Sequence, residues 1–210
     1  MDYNEIVQHY ENCFEKYGDT HKGLDWPNEK DMFKRYDVML DLIRWKESSL
    51  SNISVMDFGC GTGKLLSYIS EMTNFTDFSY TGVDASMKFI IYCKEKFPNN
   101  VFFHGDILKT NFQMPSCDWI IANGVFTEKR TLTEKEMWKY FTKVISKLYN
   151  CCGKGIAFNV ISDIVDWKRE DLFHLSHDKL CKYLISDLSR NYIIRNDYGL
   201  YEYTVYIYKI

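Results

Sequence analysis

The sequence predicts an α/β protein, a doubly wound and mostly parallel sheet with helices on both faces, closed by a C-terminal antiparallel hairpin. Three observations carry this. From residue 53 onward, short apolar runs alternate with segments of helical periodicity. The first run stops at a glycine cluster, as a buried strand does when it enters a tight loop. The last two strand-like runs lie only about six residues apart, too few for a crossover helix, so they must be antiparallel.

The elements follow in order. Residues 1–50 read as a helical cap, and residues 51–210 as the α/β core of the same single domain. Within the cap, Asn28 can cap a helix with Asp31 just after Pro27. Met32, Phe33, Tyr36, Met39, Leu40 and Ile43 then share one helical face. Residues 53–58 (ISVMDF) form the first strand and residues 78–83 the second. Met87, Ile90, Ile91 and Phe97 make the next helix face. Residues 101–103 and 117–122 are strands three and four. Thr133 and Glu136 form a capping box ahead of a face of Met137, Tyr140, Phe141, Val144 and Leu148. Residues 156–161 are strand five, and a helix is expected around Leu180, Tyr183, Leu184 and Leu188. Residues 192–194 and 201–210 complete seven strands. The final hairpin is apolar on both faces, so it is either an edge that pairs with another subunit or a strand buried in its own sheet.

Composition excludes several classes. A chain of 210 residues with 46% hydrophobic and 26% charged residues buries a sizeable core without staples. Three prolines and 11 glycines do not describe a disordered or fibrous chain. The net charge of −3 supplies no electrostatic reason to bind nucleic acid or an anionic membrane. The acids of the first 30 residues (Asp2, Glu5, Glu11, Glu15, Asp19, Asp25 and Glu29) read as a solvated face. The start MDYNEIVQHYENC has no apolar h-region, and no run is long enough to span a bilayer. The seven cysteines show no CxxC and the histidines no zinc-site spacing. The expectation is therefore reduced thiols, no metal and a cytoplasmic location.

Three loop chemistries compete for residues 57–64 (DFGCGTGK), at the carboxyl end of the first strand, where open α/β sheets bind ligands. A GxxxxGK[ST] phosphate loop fails at Phe58 and again at Leu65. A GxGxxG dinucleotide loop fails at Lys64. The run Val55-Met56-Asp57-Phe58-Gly59-Cys60-Gly61-Thr62-Gly63 resembles motif I of the class I S-adenosylmethionine-dependent methyltransferases without departure. The resemblance covers residues 53–161, and the hairpin extends it to the end of the chain. It implies a Rossmann-like, seven-stranded sheet under an N-terminal helical lid. It also implies S-adenosylmethionine as cofactor, with S-adenosylhomocysteine as product.

The resemblance assigns roles that the chemistry supports. Asp57 suits the cofactor's ammonium group, and the backbone at Gly59, Cys60, Gly61 and Gly63 can lie against its methionine and sugar portions. Asp84, with Ala85 and Met87 behind it, can accept the ribose hydroxyls; the alternative is a turn aspartate. Asp106 can accept from the adenine amino group, or simply cap a helix, with Ile107 on the ring. Asn123 and Gly124 end the fourth strand and face the methyl group. Nucleic-acid amino-methyltransferases carry Asn/Asp-Pro-Pro-Tyr/Phe at this edge. Here Asn123 and Phe126 are kept but Gly124 and Val125 stand between them, which argues against a nucleic-acid substrate. Residues 17–27 (YGDTHKGLDWP) with Arg35 and Tyr36 look like small bacterial methyltransferases associated with surface-polysaccharide or other small-molecule pathways.

The function implied is methyl transfer to an oxygen or nitrogen of a small molecule. A non-catalytic cofactor-binding module and an NAD(P)-dependent oxidoreductase are the alternatives. An acceptor still needs a free lone pair, so a general base is sought. His21 is the first candidate and Asp25 the second, with Tyr17 and His9 as further choices. Tyr17, Trp26, Phe126 and Asn159 are candidate acceptor contacts. Ser162, Asp163, Asp166 and Trp167 follow the fifth strand on the acceptor edge, where Lys168 and Arg169 could hold a phosphate or carboxylate. His104 reads as structural, and His174 and His177 as caps or surface.

Overall fold

The computed structural model describes residues 3–72, 77–109 and 112–209; Asp2 and Ile210 lie outside them. Helix α1 (Asn4–Tyr17) leads through a 3-10 turn (Lys22–Leu24) into α2 (Glu29–Arg44). Then follow β1 (Ile53–Phe58), α3 (Lys64–Ser70), β2 (Phe78–Asp84), α4 (Met87–Lys96), β3 (Val101–His104) and β4 (Cys117–Ala122). The second half holds α5 (Glu134–Cys151), β5 (Cys152–Ser162), β6 (His174–Leu175), α6 (His177–Tyr183), β7 (Tyr192–Arg195) and β8 (Glu202–Tyr208). One sheet runs β3-β2-β1-β4-β5-β8-β7, and the short β6 pairs with the end of β5. The strands through β6 pair in parallel; β8 is antiparallel to both β5 and β7.

The sheet therefore has the expected form with one strand more than the seven expected. Two residues, His174 and Leu175, are too short a run to leave a periodic trace. The hairpin is not a free edge: all of β8 is buried between β5 and β7. Outer strand β7 is half-buried along its length.

Strand periodicity sorts the core into two layers. Met56, Ile120, Phe158 and Val205 face α5 and α6, in a cluster with Phe141, Val144 and Leu180. Val55, Trp119, Ala157 and Tyr206 face the other way, against Met39, Leu42 and Ile43 of α2 and Leu65 and Ile69 of α3. The Asn28 cap and the Thr133–Glu136 capping box both form.

Helix α2 is thus a flanking layer of the sheet, and α1 reaches the carboxyl ends of the strands through the Tyr3–Asp106 and Tyr10–Gly124 hydrogen bonds. The acids of the N-terminal segment are in part the expected solvated face, since Glu5, Glu15, Asp25 and Glu29 are exposed while Glu11 and Asp19 are half-buried, but several of them are also paired. Ser86 donates to Glu11 at 2.5 Å, and Lys88 pairs with Glu15 and Glu11. Asp19 takes Lys96 at 2.7 Å and Lys64 at 3.3 Å, and Thr131 donates to Glu5. The sequence shows the charges of a segment but not the basic groups that the fold sets opposite them.

Candidate functional site

Two adjoining cavities open at the carboxyl end of the sheet and share Tyr10, Leu24 and Trp26 as a partition. The first is built from consecutive strand ends. Asp57, near the end of β1, is followed by Gly59, Cys60 and Gly61; Asp84 ends β2 and Ala85 follows it; Asp106 and Ile107 follow β3; Asn123 and Gly124 follow β4. All of these line it, as the sequence analysis expects, and so does Trp26. Gly63 and Met87 do not: Gly63 caps α3 behind the loop, and Met87 is half-exposed at the start of α4.

The glycine loop is tight because its backbone must be. Gly61 has φ of +51°, and a Cβ there would stand 3.0 Å from the Leu24 side chain of the lid. Asp84 holds the loop in place. Its Oδ2 accepts from the Gly61 N–H at 2.9 Å and its Oδ1 from the Ser86 N–H at 2.8 Å. A carboxylate has further lone pairs, so capacity for two hydroxyl donors remains. Burial pushes the Asp84 carboxyl upward, against those two backbone hydrogen bonds.

Asp57 is 4% exposed, and its Oδ2 accepts from the Tyr80 hydroxyl at 2.7 Å. Burial raises its pKa to about 7; the Tyr80 hydrogen bond opposes this and the Asp84 charge adds to it. Asp57 is buried and Asp84 half-buried, and no basic side chain is ion-paired with either among the described residues, so a positive group would stabilise the site. Asp106 is already engaged, by the Tyr3 hydroxyl on Oδ2 at 2.5 Å and the Leu108 N–H on Oδ1 at 2.9 Å. Asn123 Oδ1 is buried with no hydrogen-bond partner among the described residues. An unmet acceptor there, one buried and one half-buried carboxyl and a close-approach glycine loop fit a compact ligand carrying an ammonium group and hydroxyls.

The lid completes this cavity with Tyr3, Ile6, Val7 and Tyr10. These were not among the expected site residues, although their spacing is one helical stripe. Tyr10 donates to the Gly124 carbonyl at 3.2 Å, and burial keeps its phenol protonated far above neutrality.

The second cavity is lined by Tyr17, Asp25, Arg35, Glu128, Trp167 and Glu202 among others. Tyr17, Asp25 and Trp26 are thus placed on the side where an acceptor is expected. Phe126 is not: it is fully buried, with Tyr140, Phe141 and Phe158 around its ring. Asn159 also lines neither cavity. It is a brace, accepting from the Gly124 N–H at 2.7 Å and donating to Glu202 at 3.0 Å. Glu202 also takes Arg35 Nε at 2.8 Å, and the Arg35 guanidinium lies 4.3 Å from the Trp26 ring centre. Trp26 closes the circuit over Gly124, where an added Cβ would be 2.8 Å from its ring and φ is +76°. This ring of contacts frames the passage between the cavities.

His21 has no side-chain hydrogen bond among the described residues and lines neither cavity. Its backbone carbonyl anchors the 3-10 turn by accepting from the Leu24 and Trp26 N–H groups. His9 lies beside the second cavity, its Nε2 2.7 Å from Asp25 Oδ2 and with Cys13 Sγ 3.9 Å away, and His174 lies behind its Trp167 and Arg169. Asp25 sits in a left-handed turn with φ of 56°. His104 Nε2 lies 3.0 Å from the Ala85 carbonyl, and His174 Nδ1 lies 2.9 Å from the Ser162 carbonyl. Arg169 lines the second cavity but is taken by Asp171.

Residues 55–150 match the family described as a methyltransferase domain. The chain is 26% identical over 158 residues to Rv1506c of Mycobacterium tuberculosis, named for a methyltransferase, covering 74% of this chain and 93% of that one. Among solved structures it is similar to the magnesium protoporphyrin IX methyltransferase of Synechocystis PCC 6803 with bound S-adenosylmethionine. The TM-score is 0.65 at 15% identity, over 100% of this chain and 98% of that one. It is also similar to the CurJ carbon methyltransferase, with a TM-score of 0.61 at 14% identity, over 99% of this chain and 67% of that one. These structural likenesses concern the fold.

Proposed function

We propose that this chain, whose residues 55–150 match a methyltransferase domain, binds S-adenosylmethionine in the first cavity and methylates an oxygen or nitrogen of a small molecule held in the second. The observation that carries this reading is the pair of carboxyls, buried Asp57 and half-buried Asp84, that flank the glycine loop in one cavity. Asp57 would hold the ammonium group, Asp84 the ribose hydroxyls, and Asn123 a donor that its unmet Oδ1 requires. When bound, the cofactor supplies an activated methyl group on a sulfonium, so the protein's task is orientation and exclusion of water.

The residues of this chain perform that task as follows. Tyr10, Leu24 and Trp26 separate the cavities and exclude water from the passage. The Asn159–Glu202–Arg35 brace holds Gly124 and Trp26 in register at its edge. Asp25, on the acceptor wall, orients His9 behind it through their hydrogen bond, and this pair is the candidate to take up the acceptor's proton.

The test is calorimetric binding of S-adenosylmethionine and S-adenosylhomocysteine, with NAD as the competing ligand, for the wild type and Asp84→Ala. Binding of both adenosyl ligands is expected. It should weaken about a hundredfold in the variant, which loses acceptors for the loop and for the ligand together. Binding of NAD alone would defeat the reading.

A further inference from the structure

We propose that Arg35 selects the acceptor, and that the second cavity takes a planar molecule bearing a carboxylate. The inference rests on the reading that places the cofactor in the first cavity. The Arg35 side chain is only 9% exposed and lines the second cavity, yet of its donors only Nε has a partner among the described residues. Nη1 is buried with none. A buried guanidinium donor left unmet is costly, and a bound ligand is what can satisfy it. The outer edge of the guanidinium presents parallel N–H donors, a geometry that two coplanar oxygens match. Trp26 stacks on the guanidinium and Glu202 holds Nε, so that edge is fixed in direction before a ligand arrives.

The other charged groups of the cavity are consistent with this. Asp25 is hydrogen-bonded to His9, Glu128 to Arg130 at 3.1 Å, and Asp31 to Asn28 at the start of α2. Lys22, on the lid, lines the cavity with no anionic partner among the described residues. Tyr17, Trp167 and Tyr201 rim the opening with exposed rings, surfaces suited to a flat ligand. A carboxylate on Arg35 would direct the rest of the molecule along Trp26 toward Gly124 and the first cavity.

The experiment titrates benzoate and indole-3-acetate against their neutral amides, benzamide and indole-3-acetamide, with and without S-adenosylhomocysteine. The readout is tryptophan fluorescence or ligand-observed NMR. Arg35→Met alone would strand a buried Glu202, so the decisive variant is Arg35→Met with Glu202→Gln, alongside Arg35→Lys. The wild type is expected to prefer each carboxylate over its amide by about tenfold or more. The double variant should lose that preference, and Arg35→Lys should lose most of it. Equal affinity for acid and amide, no binding of either acid, or a preference that survives in the double variant would overturn the proposal. Failure of S-adenosylhomocysteine to bind would instead defeat the cofactor reading, and the probe titrations would remain readable without it.

Discussion

The two cavities share a wall but are made in different ways. The floor of the first comes from residues 57–125, where successive parallel strands each deliver one loop to the same edge. Strand order reverses at β1, between β2 and β4, so the loops after β1 and β4 diverge there and leave a crevice. The second cavity draws on segments from residue 10 to residue 202: the lid, α2, the loop after β4, the insertion after β5 and the start of β8. The first is a consequence of sheet topology. The second depends on how separate segments pack, and it is where relatives of one fold can diverge in substrate.

The largest effect expected concerns Phe126, which belongs to neither cavity. Phe126→Ala should destabilise the protein by about 3–5 kcal/mol in urea unfolding, while the folded fraction keeps its affinity for S-adenosylhomocysteine. Unchanged stability with lost ligand binding would return Phe126 to a binding wall and break the comparison.

Next comes the pH dependence of the first cavity. In the ligand-free protein Asp57 titrates near 7, against about 3.9 in the unfolded chain. The native state thus holds a proton that the unfolded state releases. The associated stability is fully present below about pH 4 and is lost as pH rises through 7, by a few kcal/mol at most. Asp57→Asn should flatten that slope. Because an ammonium group favours the ionised carboxyl, affinity for S-adenosylhomocysteine should rise from pH 6 to pH 8 by up to about tenfold, with proton release seen in calorimetry. A flat profile in the wild type would remove Asp57 from the ammonium site.

A smaller effect tests the lid. Its ion pairs to Lys64, Lys88 and Lys96 are partly exposed and open to screening. Raising ionic strength from about 0.05 to 0.5 M should speed dissociation of S-adenosylhomocysteine a few-fold in stopped flow. Dissociation that is independent of salt would mean the ligand leaves without lid movement. The smallest effect is that of His21→Ala, which should alter stability by no more than about 0.5 kcal/mol and leave ligand affinity unchanged.

Legibility in the sequence follows the same division. Asp57, Gly59, Gly61, Asp84, Asp106 and Asn123 are legible as candidates because each lies at or just past the end of a short apolar run, and because residues 55–63 resemble a known loop. Tyr3, Ile6, Val7 and Tyr10 carry a readable helical stripe, but nothing local says that the stripe covers a cavity rather than a core. Phe126 and Asn159 occupy an informative sequence position, yet whether a side chain there points to ligand or to core is decided by the turn at Gly124. Arg35 looks like any charged residue of an amphipathic helix until Glu202, far away along the chain, is placed against it.

By itself the sequence determined the alternation of strands and helices, the closing hairpin and which residues stand at the strand ends, because these follow from short-range periodicity and from residues close together in the chain. Only the tertiary structure decided which histidine meets Asp25, which face of α1 covers the site and which acids are latched to lysines. Those contacts join residues distant in the chain, and their energies depend on burial and direction, which exist only once the segments are packed.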